Sequence, residues 1–232
     1  MTYQEIIQLL EKNKDERGIK HWERAGYGKG KVSSLGIGLT KLRKMAKQIG
    51  RDHIVALELW ESDILEAKLL STFVEEPKKI TREQAEKQVE ETNFWMLSHA
   101  YCSCNGTLAK VPFVRELAMD WIESDDHLRR RSGYLLMYEL AKDKKDKALT
   151  DDFFEKYLDL IKNNIKSEEN FVKDAMNSAL MRIGMRNKNL WGKSLKIAKD
   201  IGPVMVDYGA NSCQAISVVK HLTADRVVKK FQ

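Results

Sequence analysis

Three groups of residues in this 232-residue chain have types and spacings that could do chemistry. The first is Gly26-Tyr-Gly-Lys-Gly-Lys-Val-Ser-Ser-Leu-Gly-Ile-Gly38, rich in glycine and lysine. A phosphate-cradling loop would need a strand before it and a Gly-Lys-Ser/Thr signature entering a helix. It has neither, so it reads as a mobile connection into a helix beginning near Leu39, with lysines that could still touch a phosphate backbone. The second group is Cys102, Cys104 and Cys213. A Cys-x-Cys pair with one remote partner and no His pair nearby is poor spacing for a tetrahedral zinc site. Buried thiols in a reducing compartment are expected instead, with no metal and no organic cofactor. The third is Arg129-Arg130-Arg131: three arginines on one helix cannot all be buried, and a helix face aimed at phosphates is a natural use for them.

Two aromatic residues are quieter. Trp95 lies beside Phe94 and Leu97 in an apolar stretch and by itself reads as core. His99 by itself reads as a core or groove-lining histidine with a satisfied hydrogen bond.

The elements that must position these residues are helices. Hydrophobic residues make up 43% and charged residues 32%, enough for a core under a charged exterior. Only Pro77, Pro112 and Pro203 interrupt the chain, so long stretches are free to be helical. Apolar spacing of 3.6 residues places Leu39, Leu42, Met45, Ala46 and Ile49 on one face. Leu128, Leu135, Leu136 and Leu140 form a second. Phe171, Val172, Ala175, Met176, Ala179, Leu180 and Ile183 form a third. Thr81 with Gln84 fits a capping box, and Ser124-Asp125-Asp126, Thr150-Asp151-Asp152 and Ser167-Glu168-Glu169 mark further starts. No alternating strand or hairpin signal stands out. The pattern predicts roughly twelve helices of ten to eighteen residues, stacked as antiparallel pairs in one all-α domain over 1–232. On pattern alone, a closed bundle remains an alternative to a solenoid.

The N-terminus carries acidic and polar residues where a signal peptide would be apolar, and no apolar run is long enough to cross a bilayer. A cytoplasmic monomer is expected, away from membranes. The net charge of +6 favours a polyanionic partner.

Ser34 to Ser71 (SLGIGLTKLRKMAKQIGRDHIVALELWESDILEAKLLS), Phe94 to Cys102 (FWMLSHAYC) with the helix containing Arg131, and Val172 to Asn187 (VKDAMNSALMRIGMRN) followed by Val206 to Cys213 (VDYGANSC) together resemble the AlkD-type DNA alkylation repair family, the HEAT-repeat-like DNA glycosylases. These stretches cover about two thirds of the chain, in the family's order. The resemblance implies a HEAT-like α-α superhelix whose basic concave face holds double-stranded DNA that is damaged, alkylated or distorted. It also implies release of 3-methyl and 7-methyl purines, without the snug base-flipping pocket usual for base-acting enzymes.

The family's site uses a tryptophan, an aspartate one turn later, an arginine and a second tryptophan. The resemblance places Trp95 and Arg131 at matching positions, but His99 where the aspartate belongs and Ser178 where the second tryptophan belongs. An oxocarbenium-like transition state needs fixed negative charge, which a neutral imidazole cannot supply and a protonated one would oppose. No Asp or Glu lies between Asn93 and Asn105 to take over. Losing such a partner costs about 2.7–4 kcal/mol, or roughly 10²–10³ in rate. DNA contacts are expected from Lys41, Arg43, Lys44, Lys47, Arg129, Arg130, Ser178, Arg182, Arg186 and Lys188. The tail residues Arg226, Lys229 and Lys230 either touch DNA or form a frayed end. Three functions follow: a DNA-binding glycosylase of weak or altered activity, a non-catalytic binder of damaged or branched DNA, and a solenoid scaffold for a protein.

Overall fold

The expected start signals act as helix caps. Thr81 Oγ1 accepts from the Gln84 N–H at 3.1 Å, Asp126 Oδ1 from Arg129 at 2.8 Å and Thr150 Oγ1 from Phe153 at 3.2 Å. Each satisfies an amide that a helix start would leave orphaned. The Ser167-Glu168-Glu169 start differs. Glu169 is the N-cap without a side-chain cap bond, and the Glu168 carboxylate before it is engaged by Arg130.

The computed structural model describes residues 1–24, 31–210 and 213–231. Residues 26–30 of the glycine-rich segment lie outside this set. The chain divides into two units, Met1–Pro112 with Gly209–Ser212, and Phe113–Tyr208 with Cys213–Gln232. In the first, the helices are α1 (Tyr3–Glu11), α2 (Glu16–Arg24), α3 (Leu39–Ile49), α4 (His53–Trp60), α5 (Leu65–Val74), α6 (Arg82–Val89) and α7 (Trp95–Cys102). In the second they are α8 (Val114–Ile122), α9 (His127–Leu140), α10 (Asp151–Asn164), α11 (Asn170–Gly184), α12 (Lys188–Ile201), α13 (Val218–Leu222) and α14 (Asp225–Phe231). The helices are shorter and more numerous than expected. The four-residue turn after Trp60 divides one apolar stretch into α4 and α5, and a brief turn separates α13 from α14. No strand forms among the described residues; Ser33 and Ile64 make one isolated parallel bridge. No helix among them is long and apolar enough to cross a membrane.

Helices pack on their neighbours, as α4 does on α5 and α8 on α9, and also on their next-but-one neighbours. In the first unit α5 touches α3 and α7; in the second, α11 touches α9 and α13, and α10 touches α12. Such alternate rows are how repeated helical pairs build a continuous core. Helix α3 buries Leu42, Met45 and Ala46, as its periodicity requires. The tail is not frayed: α14 buries Val227 and Phe231 and leaves Arg226, Lys229 and Lys230 exposed.

Helix α5, in the middle of its row, is buried along its whole length. Glu66 in its first turn accepts from Ser34 Oγ at 2.8 Å, the Leu35 N–H at 2.9 Å and the Ile37 N–H at 3.1 Å. These bonds drape residues 33–37 over the start of α5. Gly36 between them has φ 74°, and a Cβ there would lie 2.2 Å from the Asp15 carbonyl oxygen. Only glycine fits this position. Replacing Glu66 by Ala leaves two buried amides without an acceptor. It should lower unfolding free energy by about 3 kcal/mol, measured by urea denaturation.

Candidate nucleic-acid interface

In the first unit the expected site residues fall on α3 and α7. Opposite the buried side of α3, Lys41, Lys44 and Lys47 are exposed. Arg43 instead turns inward: its Nη2 donates to the Cys104 carbonyl at 3.0 Å, and its guanidinium lies 5.7 Å from the Phe73 ring centroid. Helix α7 is fixed by its buried side. Ser98 Oγ donates to the Thr92 carbonyl at 2.7 Å, and the Tyr101 ring sits 5.2 Å from that of Trp60. Trp95 opens the helix; its side chain lies outside the described set. His99, one turn on, is half-buried and hydrogen-bonded to the Cys104 thiol. That bond holds the thiol below the ordinary cysteine range against the opposing effect of burial, with help from the Ser103 hydroxyl and the charge of Arg43. The buried-thiol expectation holds for Cys102 alone, since Cys104 is half-buried and Cys213 exposed.

In the second unit the three consecutive arginines of α9 go to three places. Arg129 is half-buried beside Asp126, at 4.0 Å. Arg130 grips Glu168 with Nε and Nη2 at 2.9 and 2.7 Å and donates Nη1 to the Ser124 and Asp125 carbonyls. Arg131 is 2% exposed, its guanidinium 4.9 Å from the Phe171 ring centroid. It lies on the side of α9 that packs on α11, inside the unit. All three thus have protein groups beside them, which follows from α9 being the helix that α8 and α11 both cover.

Helix α11 carries Phe171, Asp174, Ser178 and Arg182 at i, i+3, i+7 and i+11, one stripe of a helix. Asp174 and Ser178 are 6% and 7% exposed. Tyr208 donates its hydroxyl to Asp174 Oδ1 at 2.7 Å, and Asn177 Nδ2 donates to the Ile216 carbonyl at 2.7 Å. Thus Arg131, Asp174 and Tyr208 form one buried cluster with the half-buried Phe171 ring. The sequence reading missed Asp174; an acid inside an apolar face, one turn before Ser178, was the signal available. Arg182 is half-buried, with its guanidinium 5.8 Å from the Tyr138 ring centroid. Arg186 binds the Ala141, Asp143 and Leu149 carbonyls, closing the end of α9 and the loop after it. Lys188, at the start of α12, is exposed. Trp191 on α12 donates Nε1 to the Leu222 carbonyl at 2.9 Å.

Alternate rows of paired helices define the class as an all-α, HEAT-like repeat protein. The DNA alkylation repair enzyme family matches residues 6–208, and the chain belongs to that family. An uncharacterised protein of Listeria innocua, Lin0241, is 25% identical over 199 residues, 82% of this chain and 83% of its own. Its counterpart Lmo0209 of Listeria monocytogenes is 24% identical over the same shares. A solved structure matches 100% of this chain and 96% of its own with a TM-score of 0.84 at 22% identity. It is described as a new family of proteins related to the HEAT-like repeat DNA glycosylases with affinity for branched DNA structures. That likeness gives the fold.

Burial first, then the bond to Asp174, pushes the Tyr208 phenol well above the ordinary tyrosine value of 10.0. A group raised in the folded state stabilises fully below its unfolded pKa, and that share is lost as pH climbs past about 10. Stability should therefore fall above about pH 10, and less steeply in Tyr208→Phe. Tyr101, Tyr134 and Tyr157 are raised too, so the slope shrinks without vanishing. At neutral pH Tyr208→Phe should cost about 1–3 kcal/mol. Urea midpoints across the pH range check both.

Proposed function

We propose that this protein binds DNA through its exposed basic helix faces, prefers branched or distorted DNA, and releases alkylated bases weakly or not at all. One observation carries the reading: His99 stands on α7, half-buried, where the family resemblance calls for a carboxylate. A hydrogen-bonded imidazole offers no fixed negative charge to an oxocarbenium-like sugar, so the electrostatic share of catalysis, about 2.7–4 kcal/mol, is missing. Asp174 is 6% exposed and tied to Tyr208.

The binding half of the reading draws on the net charge of +6 and on Lys41, Lys44 and Lys47, which project from α3 without entering the core. Phosphate contacts of this kind position a protein without reading sequence. Discrimination then comes from DNA shape and deformability, and the similar structure's affinity for branched DNA supports that preference.

The test is binding to a four-way junction and to linear duplex of the same base composition across a salt series. The junction should bind more tightly, and affinity for both should fall linearly in log–log form as salt rises. Replacing Lys41, Lys44 and Lys47 together by Ala should weaken binding at least tenfold and reduce the salt slope by about 2 to 3. Binding insensitive to salt would point to a protein-binding solenoid. Equal affinity for junction and duplex would remove the preference for branched DNA.

A further inference from the structure

We propose that residues 203–206 form an unpaired strand edge that binds an extended acidic segment of a partner protein. The edge begins where α12 ends. Gly202 caps the helix with φ 77°, its N–H returning to the Ala198 carbonyl at 3.1 Å, and Pro203 forbids another turn. From there the chain alternates as a strand does: Pro203, Met205 and Asp207 are exposed, Val204 and Val206 half-buried. Two asparagines of α11 fix the segments around it. Asn170 pairs with Asp207 as a neighbouring strand would, donating Nδ2 to its carbonyl at 2.6 Å and accepting its N–H on Oδ1 at 2.8 Å. Asn177, two turns on, donates to the Ile216 carbonyl at 2.7 Å. Nothing comparable serves Val204, Met205 and Val206, whose main-chain N–H and C=O groups have no hydrogen-bond partner among the described residues. A row of such groups is a template for another chain.

The side chains around the edge define the chain it fits. Pro203 and Val204 border two apolar hollows. One, of about 310 Å³, is bounded on its far side by Ala215, Ile216 and Val219. The other, of about 250 Å³, extends to Ile165 at the end of α10 and to Met205, which is 81% exposed. Alternate side chains of an added strand have room there. Lys199 rims the first hollow, and Lys166 and Lys173 the second, with no acid lining either among the described residues. None of these three ammonium groups has an ion-pair or hydrogen-bond partner among the described residues. Asp200, beside Lys199 in sequence, lines a separate hollow with Glu155 and Asp159. Apolar hollows suit a peptide better than a phosphate backbone, and the three lysines complement acidic residues at its flanks. The lysines of α3 take no part, so this site adds a protein partner to DNA binding.

The probe is a fluorescein-labelled peptide, EEVTVTVEE, followed by fluorescence polarisation, with exchange of the Val204–Val206 amides read by NMR. It should bind with a Kd below about 1 mM, more weakly at high salt, and should slow exchange at these amides. N-methylating alternate peptide bonds of the probe should weaken binding at least about tenfold, since it removes the donors the edge would accept. Lys166→Glu, Lys173→Glu and Lys199→Glu together should weaken it at least about tenfold and make KKVTVTVKK the better ligand. All three side chains reach water, and circular dichroism checks that this variant folds. No binding of EEVTVTVEE up to about 1 mM, or binding indifferent to N-methylation or to the charge reversal, would overturn the proposal. So would protection of the same amides by duplex DNA, or by the protein alone at raised concentration, which would assign the edge to nucleic acid or to a second copy.

Discussion

A helix covered on every side has no water to satisfy its polar side chains, and each unit is organised around one such helix. In the first unit α5 buries Glu66, Lys68, Ser71 and Thr72 along with its apolar residues. In the second α11 buries Asp174, Asn177 and Ser178. An unpaired polar group at such a place costs a large part of a domain's net stability, so partners come from the helix itself, as when Thr72 Oγ1 donates to the Leu69 carbonyl, or from outside it. Residues 33–37 fold onto Glu66, and Lys68 is met by Glu91 and the Trp60 carbonyl. Tyr208 and the Ile216 carbonyl close over α11. Residues 33–37, Tyr208 and Ile216 thus lie where the middle helices need donors and acceptors.

The same constraint decides what becomes of the basic residues. Lysines on α3 sit opposite its apolar side and stay at the surface. Arginines on α9 and at the end of α11 are drawn to carbonyls, carboxylates and aromatic rings, because a guanidinium can satisfy several such groups at once. Arg130, Arg131 and Arg186 are placed in this way. Positive charge in this chain therefore divides between holding the helices together and facing solvent.

Local chemistry was readable in the sequence. The caps at Thr81, Asp126 and Thr150, the start of α3 at Leu39 and the buried side of that helix all depend on neighbours within a few residues. Long-range pairings were not. Nothing near Glu66 announces that its partners lie about thirty residues earlier, and Asp174 meets Tyr208 across thirty-four positions. The phase of α9 was equally hard to read, since a helix buried on most of its circumference has no polar stripe to orient it. The resemblance expects His99 at the carboxylate position, but nothing local announced the turn after α7, which passes through two left-handed residues that are not glycine, Cys104 and Asn105.

What results is a family scaffold on which the position expected to hold catalytic charge carries an imidazole, His99. The most direct measurement is single-turnover release of bases from methylated duplex DNA by the wild type and by His99→Asp. The account predicts little or no release by the wild type above the spontaneous background, with release appearing or rising when the carboxylate is restored. Release by the wild type that His99→Asp leaves unchanged would contradict it, placing the catalytic charge elsewhere in the protein.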